Sequence, residues 1–543
     1  MPTVSDFLLE RLSNSGVKHI FGVPGDYILS FYKKVNDSNK IDLINSTDES
    51  HAGFSADAYA RVNGIGCVCV TYNVGALKVT NAVACAYAER SPMVVISGSP
   101  GMKERGEGVL LHHMVRSFEC QKQIFDNITC ASIILDDPST AGFKIDDALH
   151  KLQECKQPIY IELPRDVSEQ SISYDVYKQG TPKKNVSDEE NLAESIEESK
   201  NWLNEAKNPV ILAGIQLSRF GLGSKLVKFA EKNNFPICTT LLSKSVVGEK
   251  HQLFKGVYMG AASHPEIKDL VENSDCLLMF GVLLTDVTLG FLPSKFKKRR
   301  IISASIEDLK IRNHIYSNVL FVDFCESLFK LELQSKAQDV MISKAKLEKF
   351  VPQKDQRLTT PRLFEKINSI LTEKMAIVAD IGDSLFGAAD LVVHHKNHFI
   401  SPAFYTSMGY AIPGAVGVQL ADPEVRPIVI VGDGAFQMSC TELSTMIRKK
   451  LNPIVIVLNN DGYATEKCLI EGSFNDLYNW DYHKITEMLR GGVGLRVTNE
   501  YELESALECA LVSDELFVIN AMVDPDVISL GLKRMTEGLA KKV

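Results

Sequence analysis

Short apolar runs alternate along the chain with longer segments in which apolar residues recur at helical spacing. The runs are rich in β-branched residues and are bounded by Gly, Pro or Asn, a pattern typical of strands buried on both faces. Alternation of such strands with helices predicts an α/β fold whose mainly parallel sheets are flanked by helices. The runs are CVCVTY, MVVISG, PIYIEL, PVILAG, PICTT, CLLMFG, MAIVAD, PIVIVG, PIVIVLNN and LFVINAMV.

Two polar stretches interrupt this alternation, one from Gln170 to Lys207 and one from Lys330 to Pro361. Domain boundaries usually fall in such stretches. We therefore predict three α/β domains of similar size, at about 1–175, 190–340 and 355–543. The length of 543 residues agrees with this division, because it exceeds what a single hydrophobic core supports.

Composition and charge narrow the class of protein. The formal net charge of −9 argues against a nucleic-acid or anionic-membrane surface, and the basic run Lys295 to Arg300 is expected to be a solvated helix or loop face. Asp6 and Glu10 interrupt the apolar run that a signal peptide needs, and no stretch approaches the length of a membrane span. The twelve cysteines lack zinc-site spacing. We expect reduced, buried thiols in a cytoplasmic protein.

The strongest functional signal is a pair of glycine-containing turns. GDGA at 432–435 follows the run PIVIV, and NNDG at 459–462 follows the run PIVIVL. Glycine turns where strands end and helices begin direct backbone N–H groups at a common point, which suits a phosphate. Asp433 and Asn460 both sit at the carboxyl ends of predicted strands, so they can converge on one cation. With the carbonyl of Gly462 they form an oxygen ligand set that suits Mg²⁺.

Asn460 lies 27 positions after Asp433, and this spacing resembles the thiamine-diphosphate signature. The resemblance extends from end to end of the chain. It includes GVPGD at 22–26, an early glutamate at Glu49, and LLHH at 110–113. The chain is similar to the 2-oxo-acid decarboxylases that use thiamine diphosphate, a group that contains pyruvate, indolepyruvate and phenylpyruvate decarboxylases. Phrases such as AYAERSPMVVISG and SFNDLYNW resemble its bacterial phenylpyruvate/indolepyruvate branch.

This resemblance implies a pyrimidine-binding, a central and a diphosphate-binding domain, in that order, in agreement with the three predicted domains. It implies nonoxidative decarboxylation of a 2-oxo acid to an aldehyde and CO₂, with thiamine diphosphate and Mg²⁺ as cofactors. It also implies a homodimer or homotetramer, because active sites in this family lie at the subunit interface. No nucleic-acid or membrane partner is expected.

Five residues match positions at which the family handles protons. Glu49 matches the glutamate held against the ring nitrogen of the cofactor's aminopyrimidine, where it drives the tautomer shift. Asp48 is its neighbour, but the register of AGFSADAYAR, which begins at Ala52, favours Glu49. Histidine side chains in general exchange protons near neutral pH, which suits the pair in GEGVLLHHM to proton transfer. The resemblance implies proton handling on the substrate side for Asp26, His112, His113 and Glu466, with Glu466 as the acid that allows aldehyde release.

The resemblance also implies which residues hold the cofactor and line the substrate pocket. Asp383 stands where many relatives have Thr, beside the diphosphate, so either its side chain turns away and the backbone binds or the local geometry differs. Thr465 replaces the Ile or Val common in pyruvate and branched-chain enzymes, and the apolar wall favours an aryl or long alkyl substrate side chain. The implied cofactor contacts are Glu49, Asp383, Thr406, Met408, Asp433, Gly434, Ala435, Asn460, Gly462, Tyr463 and Ala464. The implied pocket residues are Ile381, Leu385, Phe386, Thr465, Leu469 and Phe291.

Other functions stay open on the sequence alone. Pyruvate or a branched-chain 2-oxo acid is the alternative substrate. A carboligase, or a synthase or oxidase that holds a flavin in the central domain, is an alternative chemistry on the same fold. Such relatives usually lack the histidine pair, which together with Glu466 argues against them. A protein without activity would be indicated by the loss of Glu49, Asp433 or Asn460, and all three are present.

Overall fold

The computed structural model of the chain describes residues 2–106, 108–172, 185–291, 296, 301–333, 350–353 and 356–539. The chain separates into two compact units, each made of segments that are not contiguous in sequence. The first unit consists of Met1–Lys184, Gly409–Val425 and Ser439–Asn452. The second unit consists of Asn185–Met408, Arg426–Met438 and Pro453–Val543.

All ten apolar runs singled out in the sequence form strands, as predicted. The strands of the described residues, in chain order, are β1 (His19–Gly22), β2 (Asp42–Asn45), β3 (Gly66–Val70), β4 (Met93–Ser99), β5 (Ala131–Ile134), β6 (Ile159–Pro164), β7 (Pro209–Ala213), β8 (Ile237–Thr240), β9 (Phe254–Tyr258), β10 (Cys276–Phe280), β11 (Ile301–Ala304), β12 (Leu309–Ile311), β13 (His314–Tyr316), β14 (Met375–Ala379), β15 (Phe399–Ile400), β16 (Arg426–Gly432), β17 (Ile454–Asn459), β18 (Val493–Val497) and β19 (Phe517–Met522).

Helices occupy most of the segments between these strands. The α-helices of the described residues are α1 (Val4–Asn14), α2 (Leu29–Ser38), α3 (Glu49–Asn63), α4 (Thr80–Ala88), α5 (Cys120–Phe125), α6 (Pro138–Cys155), α7 (Glu189–Glu205), α8 (Gln216–Arg219), α9 (Gly223–Asn233), α10 (Pro265–Glu272), α11 (Phe321–Leu328), α12 (Thr360–Ile370), α13 (Asp383–Ala388), α14 (Ala411–Ala421), α15 (Asp433–Ser439), α16 (Leu443–Lys449), α17 (Ala464–Lys467), α18 (Ile485–Leu489), α19 (Glu500–Leu511) and α20 (Leu530–Leu539).

The first unit contains a parallel sheet of strand order β2-β1-β3-β4-β6-β5. Helix α3 begins where the side chain of Asp48 accepts a hydrogen bond from the backbone N–H of Ser50, an ordinary N-cap. Its middle packs closely against α14: a Cβ on Gly417 would lie 2.1 Å from the carbonyl oxygen of Ser55, so only glycine allows this approach. The Ser55 hydroxyl donates to the carbonyl of Pro413 at 2.8 Å. These contacts fix the helix whose first residue is Glu49.

The second unit contains two sheets. One has the order β13-β12-β11-β10-β7-β8-β9, parallel except for the antiparallel pairs of β12 with β11 and β13. The other has the order β15-β14-β16-β17-β19-β18 and is parallel throughout. Mainly parallel sheets flanked by helices are the predicted fold class. The antiparallel edge was not predicted, because β12 and β13 are only three residues long and partly polar.

The three sheets lie within the sequence limits predicted for the three domains, and those limits stay a prediction. The basic run at 295–300 lies outside the described residues, apart from Phe296. The twelve cysteines are free thiols, but they are not all buried: Cys468 and Cys509 are exposed on the surface. Among the helices of the described residues, none combines the length and apolar character that a bilayer crossing requires.

Candidate active site

The two glycine-containing turns meet in the second unit. Strands β16 and β17 pair in parallel, with Gly432 opposite Leu458, so the residues that follow them emerge side by side. Asp433 accepts hydrogen bonds from the backbone N–H of Gly434 at 2.8 Å and of Gly462 at 3.2 Å. The carboxylate therefore joins the two turns, which we call the metal cradle (432–435 and 459–462).

Two oxygens of the metal cradle are suited to a cation. Asp433 is only 2% exposed, and burial raises the pKa of its carboxyl to about 6. The side-chain oxygen of Asn460 is buried without a hydrogen-bond partner. A buried amide oxygen is costly without a partner, and a buried carboxylate is costly without a countercharge even when backbone N–H groups bind it. A hard cation would satisfy both residues. The donor set therefore fits Mg²⁺.

Glycine is required at two positions of the metal cradle. A Cβ on Gly434 would lie 2.6 Å from the ring of Tyr463. Gly462 has φ +150°, and a Cβ there would lie 2.4 Å from the carbonyl oxygen of Asn475. A side chain at Gly434 would therefore displace the ring of Tyr463, and a side chain at Gly462 would displace the backbone of Asn475.

The metal cradle opens into a cavity of about 390 Å³, within the size range of small-molecule sites. Every cofactor, metal and pocket residue predicted in the second unit lines it. They are Phe291, Ile381, Asp383, Leu385, Phe386, Thr406, Met408, Asp433, Gly434, Ala435, Asn460, Gly462, Tyr463, Ala464, Thr465, Glu466 and Leu469. Glu466 lies on α17, immediately beyond the cradle, and is exposed.

Several lining residues were not predicted from the sequence. Phe404 adds a third phenylalanine to the apolar wall, and Asp286 and Val287 come from the segment after β10. Ser384 is 1% exposed, and its hydroxyl oxygen has no hydrogen-bond partner, which makes it a candidate contact for a polar ligand group. A lone serine in DSLFG carries no sequence signal of this, because only its burial makes the unpaired hydroxyl unusual.

Asp383 lines the cavity, but its carboxylate is turned to the start of α20. It accepts hydrogen bonds from the backbone N–H of Ser529 at 3.1 and 3.3 Å. Burial raises the pKa of Asp383 to about 6, and the bonds from Ser529 offset only part of this effect. The structure therefore favours the alternative in which the side chain of Asp383 turns away from the diphosphate and its backbone faces the cavity.

In the first unit, Glu49 and Asp48 have separate partners at the start of α3. Asp48 caps the helix through Ser50. Glu49 has a side chain that is 13% exposed, and one of its oxygens accepts from the ammonium of Lys78 at 2.8 Å. Asp48 also pairs with Lys78. Both acids therefore pair with Lys78, but Asp48 also serves as the helix cap.

A buried glutamate that the sequence did not reveal anchors the turn before Glu49. Glu442 is fully buried and accepts hydrogen bonds from the backbone N–H of Thr47 at 2.9 Å and from its hydroxyl at 2.7 Å. His51 lies 3.4 Å from the same carboxylate oxygen. Glu442 therefore fixes the backbone from which Glu49 projects. Because 395 positions separate Glu442 from Thr47, no local sequence pattern indicates this contact, which forms only in the folded chain.

The other predicted proton-handling residues of the first unit come together in one cluster, the Asp26–His112–His113 cluster. The Nε2 atom of His112 lies 2.8 Å from a carboxylate oxygen of Asp26, and the rings of His112 and His113 are perpendicular, with centroids 4.7 Å apart. The Nδ1 atom of His112 lies 3.2 Å from the hydroxyl of Tyr27, and that of His113 lies 3.3 Å from the carbonyl oxygen of Tyr72. The cluster can therefore hold and pass on a proton.

Family models place the chain in a class. The model for the thiamine pyrophosphate enzyme N-terminal TPP binding domain matches residues 2–123, the central domain model matches 196–328, and the C-terminal TPP binding domain model matches 380–521. The three matches follow the order of the three sheets. They define a thiamine pyrophosphate (thiamine diphosphate) enzyme.

Relatives of known name refine the class. The chain is 32% identical to an indole-3-pyruvate decarboxylase of Azospirillum brasilense, over 98% of each chain. It is 31% identical to an alpha-keto-acid decarboxylase of Mycobacterium tuberculosis, over 96% of this chain and 94% of the relative. A Schizosaccharomyces pombe relative named as a probable pyruvate decarboxylase is 31% identical, over 94% of this chain and 90% of its own.

The chain therefore belongs to the thiamine-diphosphate-dependent 2-oxo-acid decarboxylases. It is a carboxy-lyase that uses thiamine diphosphate to decarboxylate a 2-oxo acid. The predictions of family, cofactor and reaction are thereby confirmed, whereas the role of each site residue stays a prediction.

Proposed function

We propose that this decarboxylase converts a 2-oxo acid with an aromatic or comparably large side chain to an aldehyde and CO₂, with Mg²⁺ as its metal. The observation that carries the proposal is the cavity of about 390 Å³, in which cradle residues and three phenylalanine rings share one space. The methyl group of pyruvate would leave much of that apolar wall without contact, whereas an aryl group would cover it.

Asp433, Asn460 and the carbonyl of Gly462 would hold Mg²⁺. The backbone around Gly434, Ala435, Tyr463 and Ala464 would hold the diphosphate, with the Ser384 hydroxyl as a further contact. Thr406 and Met408 would hold the aminopyrimidine end, and Glu49 would hold its ring nitrogen. Bound thiamine diphosphate supplies the electron sink for the bond to the departing CO₂.

We assign proton transfer to Asp26, His112, His113 and Glu466. Asp26 and His112, whose Oδ2 and Nε2 atoms lie 2.8 Å apart, and the adjacent His113 would move protons on the substrate side. Glu466 donates a proton to the carbon that has lost CO₂, which allows the aldehyde to leave. Positioned acids and bases of this kind each contribute roughly 10²–10⁴-fold in rate.

We also infer a homodimer or homotetramer with active sites at the subunit interface, and a cytoplasmic location. Ile470, Phe474 and Tyr478, just beyond the metal cradle, are 59%, 69% and 86% exposed, and apolar surface of this kind usually marks an interface. The free thiols fit a reducing compartment. Sedimentation velocity of the holoenzyme should show a dimer or larger at micromolar concentration. A monomer with full activity would contradict the inference.

An aldehyde-release assay with pyruvate, phenylpyruvate, indolepyruvate and a branched-chain 2-oxo acid tests the substrate. We expect the highest kcat/KM for an aromatic acid. In a Thr465→Trp variant, which narrows the cavity, kcat/KM for aromatic acids should fall at least tenfold more than that for pyruvate. If wild type prefers pyruvate, the aromatic proposal is wrong and the alternative substrate is correct.

A further inference from the structure

We propose that the Asp26–His112–His113 cluster is a second metal site, distinct in chemistry from the metal cradle, which binds Zn²⁺ and thereby inhibits the enzyme. The binding itself follows from the geometry of the first unit alone. The inhibition rests on the proposed role of the cluster in proton transfer.

The three side chains offer ligand atoms close to one point. One ligand atom from each residue can be chosen so that all three lie within 4.8 Å of one another. In a tetrahedral zinc site with bonds of 2.0–2.1 Å, ligand atoms lie about 3.4 Å apart. The side chains of Asp26 and His112 are 46% and 55% exposed, so small rotations can close the remaining gap without disturbing the core.

Hydrogen-bond partners at Nδ1 leave the Nε2 atoms of both histidines available for a metal. The carbonyl of Tyr72 can only accept, so Nδ1 of His113 carries the hydrogen and Nε2 keeps its lone pair. The hydroxyl of Tyr27 can donate or accept, so it can take the Nδ1–H of His112 once Nε2 binds a metal. Such partners fix the ring orientation and tautomer of metal-binding histidines.

The surrounding packing holds the loop in this arrangement. The ring of His112 stacks on Tyr27 with centroids 4.6 Å apart. His113 has φ +67°, an uncommon value for a residue other than glycine, and its carbonyl accepts from the side chain of Asn73 at 2.6 Å. The nearby guanidinium of Arg165 is paired with Glu104, which reduces its repulsion of a cation. The site is therefore largely formed before a metal arrives.

The ligand types decide which metal binds. Two imidazoles and one carboxylate suit Zn²⁺ and similar borderline cations, whereas Mg²⁺ prefers oxygen ligands such as those of the metal cradle. Zn²⁺ at the cluster would occupy the lone pairs of His112 and His113 and the carboxylate of Asp26. The same atoms would then be unable to exchange a proton.

Zinc binding to the holoenzyme, saturated with thiamine diphosphate and Mg²⁺, tests the site directly. Competition with a chromophoric zinc chelator should reveal one site per chain, with affinity reduced at least tenfold in Asp26→Asn, His112→Asn and His113→Asn. His150→Asn is the matched control, because His150 pairs with Glu154 and belongs to no three-residue metal-ligand group among the described residues; this variant should bind zinc as wild type does. Equal zinc affinity in wild type and all three cluster variants, with unchanged Tm, would overturn the site.

Aldehyde release tests the second half of the proposal. Micromolar Zn²⁺ should inhibit the holoenzyme in the presence of millimolar Mg²⁺, and a zinc-selective chelator should restore the rate. Zinc binding at the cluster with no change in aldehyde release would overturn the inhibition. A protein that releases no aldehyde from any 2-oxo acid would instead count against the proposed function, while the zinc titration would still decide the site.

Discussion

The metal cradle of the second unit is formed largely by backbone at two strand ends, whereas the Asp26–His112–His113 cluster of the first unit is formed by side chains from two separate segments, a short 3-10 helix that begins at Asp26 and a turn that carries the two histidines. In the cradle, Asp433 is buried and bonded to two backbone N–H groups. In the cluster, the side chains of Asp26 and His112 are about half exposed. The difference suits their tasks: a permanent cofactor needs a fixed holder, and proton transfer needs groups that can exchange partners.

The largest effect is expected where the cradle is broken. Asp433→Ala removes the carboxylate that joins the two turns and binds the metal, so retention of thiamine diphosphate after gel filtration should fall more than roughly 100-fold. Asp514→Asn is the control, because Asp514 is an exposed aspartate outside the metal cradle, and this variant should retain cofactor. Unchanged retention in Asp433→Ala would remove this residue from the metal site.

Glu49→Gln should nearly abolish aldehyde release, by roughly 10²–10⁴-fold, while cofactor retention stays close to that of wild type. This outcome would show that Glu49 acts in the reaction and is not needed to hold the cofactor, which is the task of the metal cradle. Asp48→Asn preserves a good N-cap and should lose little activity. Near-normal decarboxylation by Glu49→Gln would disprove the assigned role.

Glu466→Gln should slow aldehyde release by roughly 100-fold with little change in cofactor retention, because Glu466 lies just beyond the cradle. Stopped-flow measurement of CO₂ and aldehyde separately should show the larger loss in aldehyde. Glu471→Gln, an exposed glutamate on the same segment, is the control. If Glu466→Gln releases aldehyde as fast as wild type, the proton donor lies elsewhere.

The smallest effect on turnover is expected for Asp383→Asn. This substitution should instead change how the thermal stability of the protein depends on pH. Because burial raises the folded-state pKa of Asp383 from 3.8 to about 6, its contribution to stability is greatest below pH 4 and declines as pH rises to about 6. Above pH 6 the ionised carboxyl lowers the free energy of unfolding by roughly 3 kcal/mol at most. The Tm of Asp383→Asn should therefore exceed that of wild type at pH 8 and not at pH 4. A pH-independent difference would contradict this account.

The sequence revealed the cradle because its features are local: each turn directly follows an apolar strand. It could not show which way Asp383 points, since the answer depends on Ser529, 146 positions away. Nor could it reveal Glu442, which contacts Thr47 only through the fold. The strands that the pattern missed are short or lie at sheet edges. β1 has four residues and β18 is only partly buried, so their apolar signal is weak.

The contact of α3 with α14 has a consequence for synthesis of the chain. Ser55 bonds to Pro413, 358 positions later, and the first unit also includes Ser439–Asn452. A ribosome must therefore complete more than four-fifths of the chain before the helix that begins at Glu49 can meet all its partners. Until then, the emerging N-terminal sheet exposes surface that later segments cover, and such intermediates are prone to aggregate. Expression of the first 184 residues alone should yield a poorly folded product.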